Sequence, residues 1–432
     1  MKAIAFLTLF SVLPLHAEDW PQWLGPRRDS SWNEAGLAKS WPAEGPKVLW
    51  RTPVGHGYSG PAVAAGLVFV PDFKIASGTV TANPSGRSEI KGEERVVCLD
   101  QKSGAVKWTF SRERSHNLSF PNGPRCTPAV VNGTVYFLGG EGHMAALKAG
   151  SGDVLWEKDL KKEYGAESPI WGYSAHLLVS GGRVFTLAGG KDSAAVAFDA
   201  KTGREVWRAL QTADIGYAPP LMRKQDGREE LVIWHSEAIS GLDPATGKVW
   251  WSQDFKPAYG MSIMAPSCLE DGRIFIGAMQ KKSLMFKAAG GKTEVLWDGT
   301  PALALSPKNS TPVVHGGHIY GCDTDGDLRC FNPATGERLW STMEPMPDGK
   351  KNGSGTIFLV RTPEHWLLYN DGGELILADL SPKGYKQLAR AKVIEPTSPN
   401  MGGRKVSWHH PAFADGCAFV RNDKEIICLS LR

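Results

Sequence analysis

ALKAGSGDVLW (Ala146–Trp156), AFDAKTGREVW (Ala197–Trp207) and GLDPATGKVWW (Gly241–Trp251) are one unit written three times, and CLDQKSGAVKW (Cys98–Trp108) and CFNPATGERLW (Cys330–Trp340) align with them without gaps. Each copy reads as a short strand, a polar turn and a second strand that reaches Trp four residues after the turn glycine. Asp or Asn opens the turn because its side chain can accept from nearby backbone N–H groups. Gly supplies a positive φ that other residues resist. Trp brings a large apolar face to a neighbouring sheet, together with one N–H that needs an acceptor. A weaker copy runs from Lys287 to Trp297, and another around Asp379 has lost its Trp.

Trp108, Trp156, Trp207, Trp251, Trp297 and Trp340 recur about every 45 residues. That period suits one four-stranded blade of a β-propeller per repeat, with one aromatic signature in each blade. Within one unit the strands are predicted at 126–132, 134–138, 143–148 and 153–158, with Asn132-Gly133 as a hairpin signal. First strands are expected to begin near Ser59, Thr127, Ser174, Ala218, Met264, Ser310, Thr356 and His409, which makes eight blades. Seven is the alternative if the degenerate unit at 356–380 is not a blade. The last unit has three strands, so Lys47–Arg51, which carries Trp50, is expected to pair with Glu425–Leu431 as its fourth and close the ring. The expected class is therefore all-β. A single propeller domain over 47–432 follows an N-terminal extension over 18–46.

Residues 1–17 have the features of a signal peptide: Lys2, an apolar stretch from Ala3 to Leu15, and Ala17 at the cut. No Cys follows that stretch, so no lipoprotein anchor is expected, and no later segment is apolar for long enough to cross a membrane as a helix. The mature chain is expected to be extracytoplasmic, periplasmic or secreted, and a monomer. A net charge of +4 over 432 residues, with no Lys/Arg run, argues against nucleic acid as a partner. The seven cysteines (Cys98, Cys126, Cys268, Cys322, Cys330, Cys417 and Cys428) fit no metal or haem spacing and read mainly as small buried hydrophobes.

The pattern A-x-D-x-x-T-G-K-x-x-W resembles the tryptophan-docking motif of the pyrroloquinoline-quinone-like repeat family, and Ala197–Trp207 departs from it only at Arg204. The resemblance covers nearly all of the mature chain. It implies the propeller fold, with Trp50, Trp108, Trp156, Trp207, Trp251, Trp297 and Trp340 as structural residues. It leaves function open between quinoprotein dehydrogenases and the non-catalytic propeller subunit of the outer-membrane assembly machinery. The dehydrogenases are similar to one another in an adjacent Cys pair, a calcium ion held by Glu, Asn and Asp, and a catalytic Asp. This chain has no adjacent Cys pair, and nothing marks out Asp214 as a base. The expected function is a scaffold binding an envelope or extracellular protein or polymer. A quinone-dependent dehydrogenase using pyrroloquinoline quinone with calcium is the alternative.

The motif turn joins the third and fourth strands of a blade, so the loops that enter each blade lie on the opposite, top face. Loops there commonly converge on a ligand. They offer His56, Tyr58, His116, Asn117, Arg125, Trp171, Tyr173, His176, Tyr217, Met261, Lys308, Asn309, Arg404, Trp408, His409 and His410 as candidate binding residues. This content suits a planar or anionic ligand or a peptide edge. His409 and His410 are adjacent on a strand, so at most one faces the channel and no metal site is expected. A long insertion at 72–94, rich in Gly, Ser and Lys, reads as a mobile loop over that face. Asp325-Gly326 reads as a hairpin turn rather than a calcium loop.

Overall fold

A computed structural model describes residues 18–280 and 282–432; the expected signal segment lies outside the described residues. Among the described residues the strands form eight four-stranded antiparallel sheets, one per blade of an eight-bladed propeller, and one short pair, Ser398–Pro399 with Lys405–Val406, in the loop that enters blade 8. The innermost strands begin at Ala62, Ala129, Leu178, Leu221, Ser267, Val313, Ile357 and Ala412, each within four residues after its expected start and the one at Ile357 directly after it. The degenerate unit is a full blade, with strands Ile357–Arg361, Trp366–Asn370, Glu374–Ser381 and Gly384–Lys392. Blade 8 consists of Ala412–Ala414, Cys417–Arg421 and Glu425–Ser430, with Val48–Pro53 as its outer strand. Trp50 is opposite Cys428 in that last pairing.

The docking tryptophans show how one blade is set on the next. Trp50 Nε1 donates to Gln101 O, Trp108 to Ala149 O, Trp156 to Ala200 O, Trp207 to Pro244 O, Trp297 to Pro333 O and Trp340 to Ser381 O, all at 2.8–3.1 Å. Each acceptor is in the motif turn of the following blade. In the first four contacts the ring lies on that turn's glycine, so that a Cβ on Gly104 or Gly152 would come within 2.6 Å of it, one on Gly247 within 2.7 Å and one on Gly203 within 2.8 Å; the approach of Trp297 to Gly336 is looser at 3.3 Å, and Gly384, in the turn that Trp340 reaches, has nothing within 4 Å. In those four turns the glycine is thus required twice over, for its positive φ and for the approach of the ring. Trp251 differs: it donates to Glu230 Oε1 in its own blade at 2.6 Å, and Arg223, paired with Glu230, donates onward to Ala288 O of blade 5 at 2.9 Å. Blade 7 has no docking Trp, and the reason is visible in the closure. In blade 8 the third and fourth strands are joined by no motif turn, so there is no glycine on which a ring could rest.

The insertion at 72–94 is not a loose loop. Strands Leu67–Gly78, Ser88–Asp100 and Val106–Leu118 run on through it as an extended three-stranded arm of blade 1. Polar residues dominate its composition, but Phe73 and Ile90 are fully buried, and Arg95 pairs with buried Asp72. That alternation is what holds the arm in a sheet. Its tip is tied down where Arg87 donates to Asn117 O and Ser168 O at 2.9 and 2.7 Å.

The N-terminal extension enters the central channel from the motif-turn face and plugs it. Trp20 exchanges backbone hydrogen bonds with Val63 of blade 1, and Pro21 O accepts from Val130 of blade 2. Arg28 donates to Leu177 O and Pro220 O of blades 3 and 4. Trp23 and Leu24 cluster with Ala265 at the entry to blade 5 and border a small gap with Ser310 and Thr311 of blade 6. Ser30 and Trp32 bond with Arg361 of blade 7, and the rings of Trp20 and Trp32 each lie 5.5 Å from Phe413 of blade 8.

Gly203→Ala should destabilise the protein by about 2–4 kcal/mol, combining a strained φ with a clash against Trp156. Gly133→Ala, with φ of 74° but nothing within 4 Å, should cost only about 1 kcal/mol. Equal losses in urea unfolding would show that ring contact plays no part in the choice of glycine.

Candidate functional site

The plug leaves a blind cavity of about 780 Å³ open on the top face. The blade-entry loops supply its walls and Trp23 of the plug its floor, while Pro84 and Ser85 at the tip of the blade 1 arm overhang it. Of the residues expected from the sequence, Tyr58, Arg125, Trp171, His176, Tyr217, Met261, Lys308, Asn309, Trp408 and His410 line the cavity. Six others lie outside it. His56 Nδ1 is 2.9 Å from Asn122 Oδ1, and Tyr173 donates its hydroxyl to Ala188 O at 2.8 Å. His116 is fully buried against Phe73, with Nε2 3.0 Å from Glu94 Oε1. Asn117 belongs to the outer strand of the arm, and its backbone N–H donates to Glu141. Arg404 forms a pair of 3.0 Å contacts with buried Asp371. Residues 408–410 precede the strand Ala412–Ala414 instead of belonging to it, but alternate side chains still diverge: Trp408 and His410 line the cavity, and His409 turns away towards Gly57 O and Asp423.

The walls are aromatic and thioether surfaces. Trp171 and Tyr217 meet at 5.5 Å on one side, and Tyr58 and Trp408 at 6.0 Å on another, with Phe120 edge-on to Trp408. Met261, Met264, Met279, Met401 and Phe358 continue the lining. At the rim, Tyr259 is 70% exposed and Met401 47% exposed. Sequence reasoning missed Trp23, Phe120, Tyr259, Met279, Phe358 and Met401. One usable signal was the density of tryptophan at 20, 23 and 32, too high for an extension lying in water.

The charge in the cavity is positive. His176 stacks on Trp23 with ring centres 4.5 Å apart and planes 10° off parallel, and its Nδ1 accepts from the Thr127 N–H. Burial, and then Arg28 nearby, hold His176 well below its ordinary range, and burial takes His410 down to about 4, so both rings are neutral at pH 7. Two cations remain. Arg125 lies over the Tyr58 ring at 5.5 Å and donates to the carbonyls of Gly123, Ser119 and Phe120. Lys308 donates to Ser354 Oγ and, among the described residues, pairs with no carboxylate; desolvation lowers its pKa. Among the described residues no Asp or Glu lines the cavity. Asp214, held by the Gly216 N–H at 2.9 Å, is outside it.

Calcium is coordinated by oxygen ligands, carboxylates foremost. A lining without a carboxylate does not fit a calcium-bound quinone. Nor, among the described residues, do three or more His, Cys, Asp or Glu side chains gather anywhere as a metal cluster.

The comparisons with known proteins fall on the propeller. A family profile described as outer membrane protein assembly factor BamB matches residues 92–342 and 235–404. The chain is 22% identical to the outer membrane protein assembly factor BamB of Shewanella oneidensis over 314 residues, which cover 68% of this chain and 76% of that one. Among solved structures, BamB from Moraxella catarrhalis is similar with a TM-score of 0.52 at 17% identity, covering 89% of this chain and 97% of that one. A europium-containing methanol dehydrogenase is similar with a TM-score of 0.63 at 12% identity, covering 94% and 90%. At such identities the structural likeness speaks for the fold alone.

A histidine whose folded pKa is depressed stabilises the protein above its unfolded value of 6.5, and that stability drains away as pH falls towards 4. Between pH 7 and pH 5 the wild-type protein should lose about 2 kcal/mol more of its unfolding free energy than His410→Asn. Equal losses in equilibrium urea unfolding would contradict a neutral buried His410.

Proposed function

The chain belongs to the family described as outer membrane protein assembly factor BamB, and from that premise we propose that it is a non-catalytic, extracytoplasmic propeller that holds an envelope protein partner against its top face. The observation that carries the reading is the cavity itself. Its walls of Trp, Tyr, Phe and Met suit contact, while among the described residues it has no lining carboxylate to act as base or to seat calcium. Of the histidines that line it His410 is buried and His176 half-buried, and each is already hydrogen-bonded to backbone, His176 to the Thr127 N–H and His410 to Pro411 O. What lines the site therefore favours recognition over bond-making. Exposed Tyr259 and Met401 stand at the mouth, where an incoming surface would meet them first. The family membership and the expected signal segment support an extracytoplasmic setting. No helix among the described residues is long and apolar enough to cross a membrane.

The dehydrogenase alternative has its support in the propeller shared with a methanol dehydrogenase, and the make-up of the cavity weighs against it.

Photo-crosslinking residues placed at Tyr259 and Met401 in cells should capture one discrete envelope protein, and the same residue at exposed Lys201, on the motif-turn face, should capture none. In the purified protein, calcium should add nothing to the unfolding temperature measured with pyrroloquinoline quinone, and the mixture should reduce no dye with alcohols. Capture from Lys201 alone would move the partner to the other face. Calcium-dependent stabilisation accompanied by alcohol oxidation would establish the dehydrogenase instead.

A further inference from the structure

A buried polar group without a partner is uncommon in a native protein, and a group of them in the walls of one cavity calls for an explanation. Tyr58 Oη, Thr127 Oγ1, Tyr217 Oη and Trp408 Nε1 are all buried without a hydrogen-bond partner, and all four belong to residues that line the top cavity. Each of them can donate, and the indole can do nothing else. Lys308 adds an ammonium group whose one protein acceptor is a serine hydroxyl. It stands at the entry to blade 6, and Arg125 stands at the entry to blade 2, four blades round the ring. An ammonium in a half-buried site with no carboxylate beside it has lost hydration without gaining a counter-charge. What the cavity presents is therefore a cation without a counter-charge, set among side chains whose unpaired donors are buried in its walls.

The rest of the lining says what else the occupant must be. Flat rings stand on two sides, with polarisable methionines between them, a surface that stacks on a planar apolar body. A volume of about 780 Å³ falls in the range of small-molecule sites, roughly 300–1,000 Å³. Trp23 closes the floor, so the cavity is a pocket with an end and not a channel through which a chain could thread.

We propose that this pocket binds a small aromatic carboxylate, its ring between the aromatic walls and its carboxylate on the Lys308 ammonium, without a metal. The site rests on the reading of the top face as the binding face, and it adds to that reading a small-molecule ligand held beneath the partner. The occupant would complete the wall on which the partner docks.

The probes are 2-naphthoate and its neutral counterpart 2-naphthalenemethanol, titrated calorimetrically into the mature chain without divalent cations. Wild-type protein should bind the carboxylate about 10-fold or more tightly than the alcohol, as a charge-assisted contact requires. Lys308→Met should bring the two within about 2-fold while leaving alcohol binding in place, which shows that the pocket is still folded. Lys308→Arg should restore the preference for the carboxylate. Equal binding of the two probes by wild type, an unchanged preference in Lys308→Met, or no binding of either probe at millimolar concentration would each overturn the site. Crosslinking at Tyr259 and Met401 separates the two failures. A captured partner with no naphthoate binding sinks the pocket alone, and naphthoate binding with no captured partner sinks the docking reading alone.

Discussion

A tryptophan ring laid flat on the turn glycine of the next blade sets the pitch of this propeller. The indole N–H reaches the carbonyl of that turn and the ring covers the glycine, which ties the separation and tilt of two sheets to one contact. Repetition of that contact round the ring, with an Arg223–Glu230 pair taking over at Trp251, brings eight entry loops to one circle on the top face. The cavity follows from that circle. Its walls are whatever side chains the entry loops carry, and in this chain they are aromatic rings, methionines and two cations.

Closure sets the second constraint. The strand Val48–Pro53 completes blade 8 as its outer strand, at the rim of the ring, and the chain upstream of it turns inward to the axis. Residues 20–32 reach the inner strands or entry loops of every blade, and their backbone and side-chain bonds fill the lower channel. A solvent-filled hole becomes a pocket with a floor. The same closure explains why blade 7 carries no docking tryptophan.

Much of the fold was legible because its signals are local. The turn, its glycine and the following Trp occupy eleven residues, and the hairpins at Asn132-Gly133 and Asp325-Gly326 need only their own sequence. What escaped were features decided by distant partners. The arm of blade 1 looked loose because its buried positions, Phe73 and Ile90, are sparse and separated by polar residues. The plug was invisible because its partners lie in blades spread along the whole chain. For the site, the entry-loop rule brought Tyr58, Arg125, Trp171, Tyr217 and Lys308 together. It could not foresee that His116 and Tyr173 turn into the packing between sheets, or that Arg404 is engaged by Asp371. Alternation required that only one of the two adjacent histidines face inward, but not which; the placement of Trp408 two residues before His410 settles it.

The account turns on a cavity whose cation, Lys308, has no carboxylate beside it and which has no seat for a metal cation. Anomalous diffraction from crystals of residues 18–432, soaked separately in bromide and in a lanthanide as a calcium surrogate, tests this directly. The account predicts a bromide peak within hydrogen-bond reach of Lys308 Nζ and no lanthanide peak anywhere in the cavity. A lanthanide bound among the entry loops, or a cavity that takes up no bromide, would contradict it.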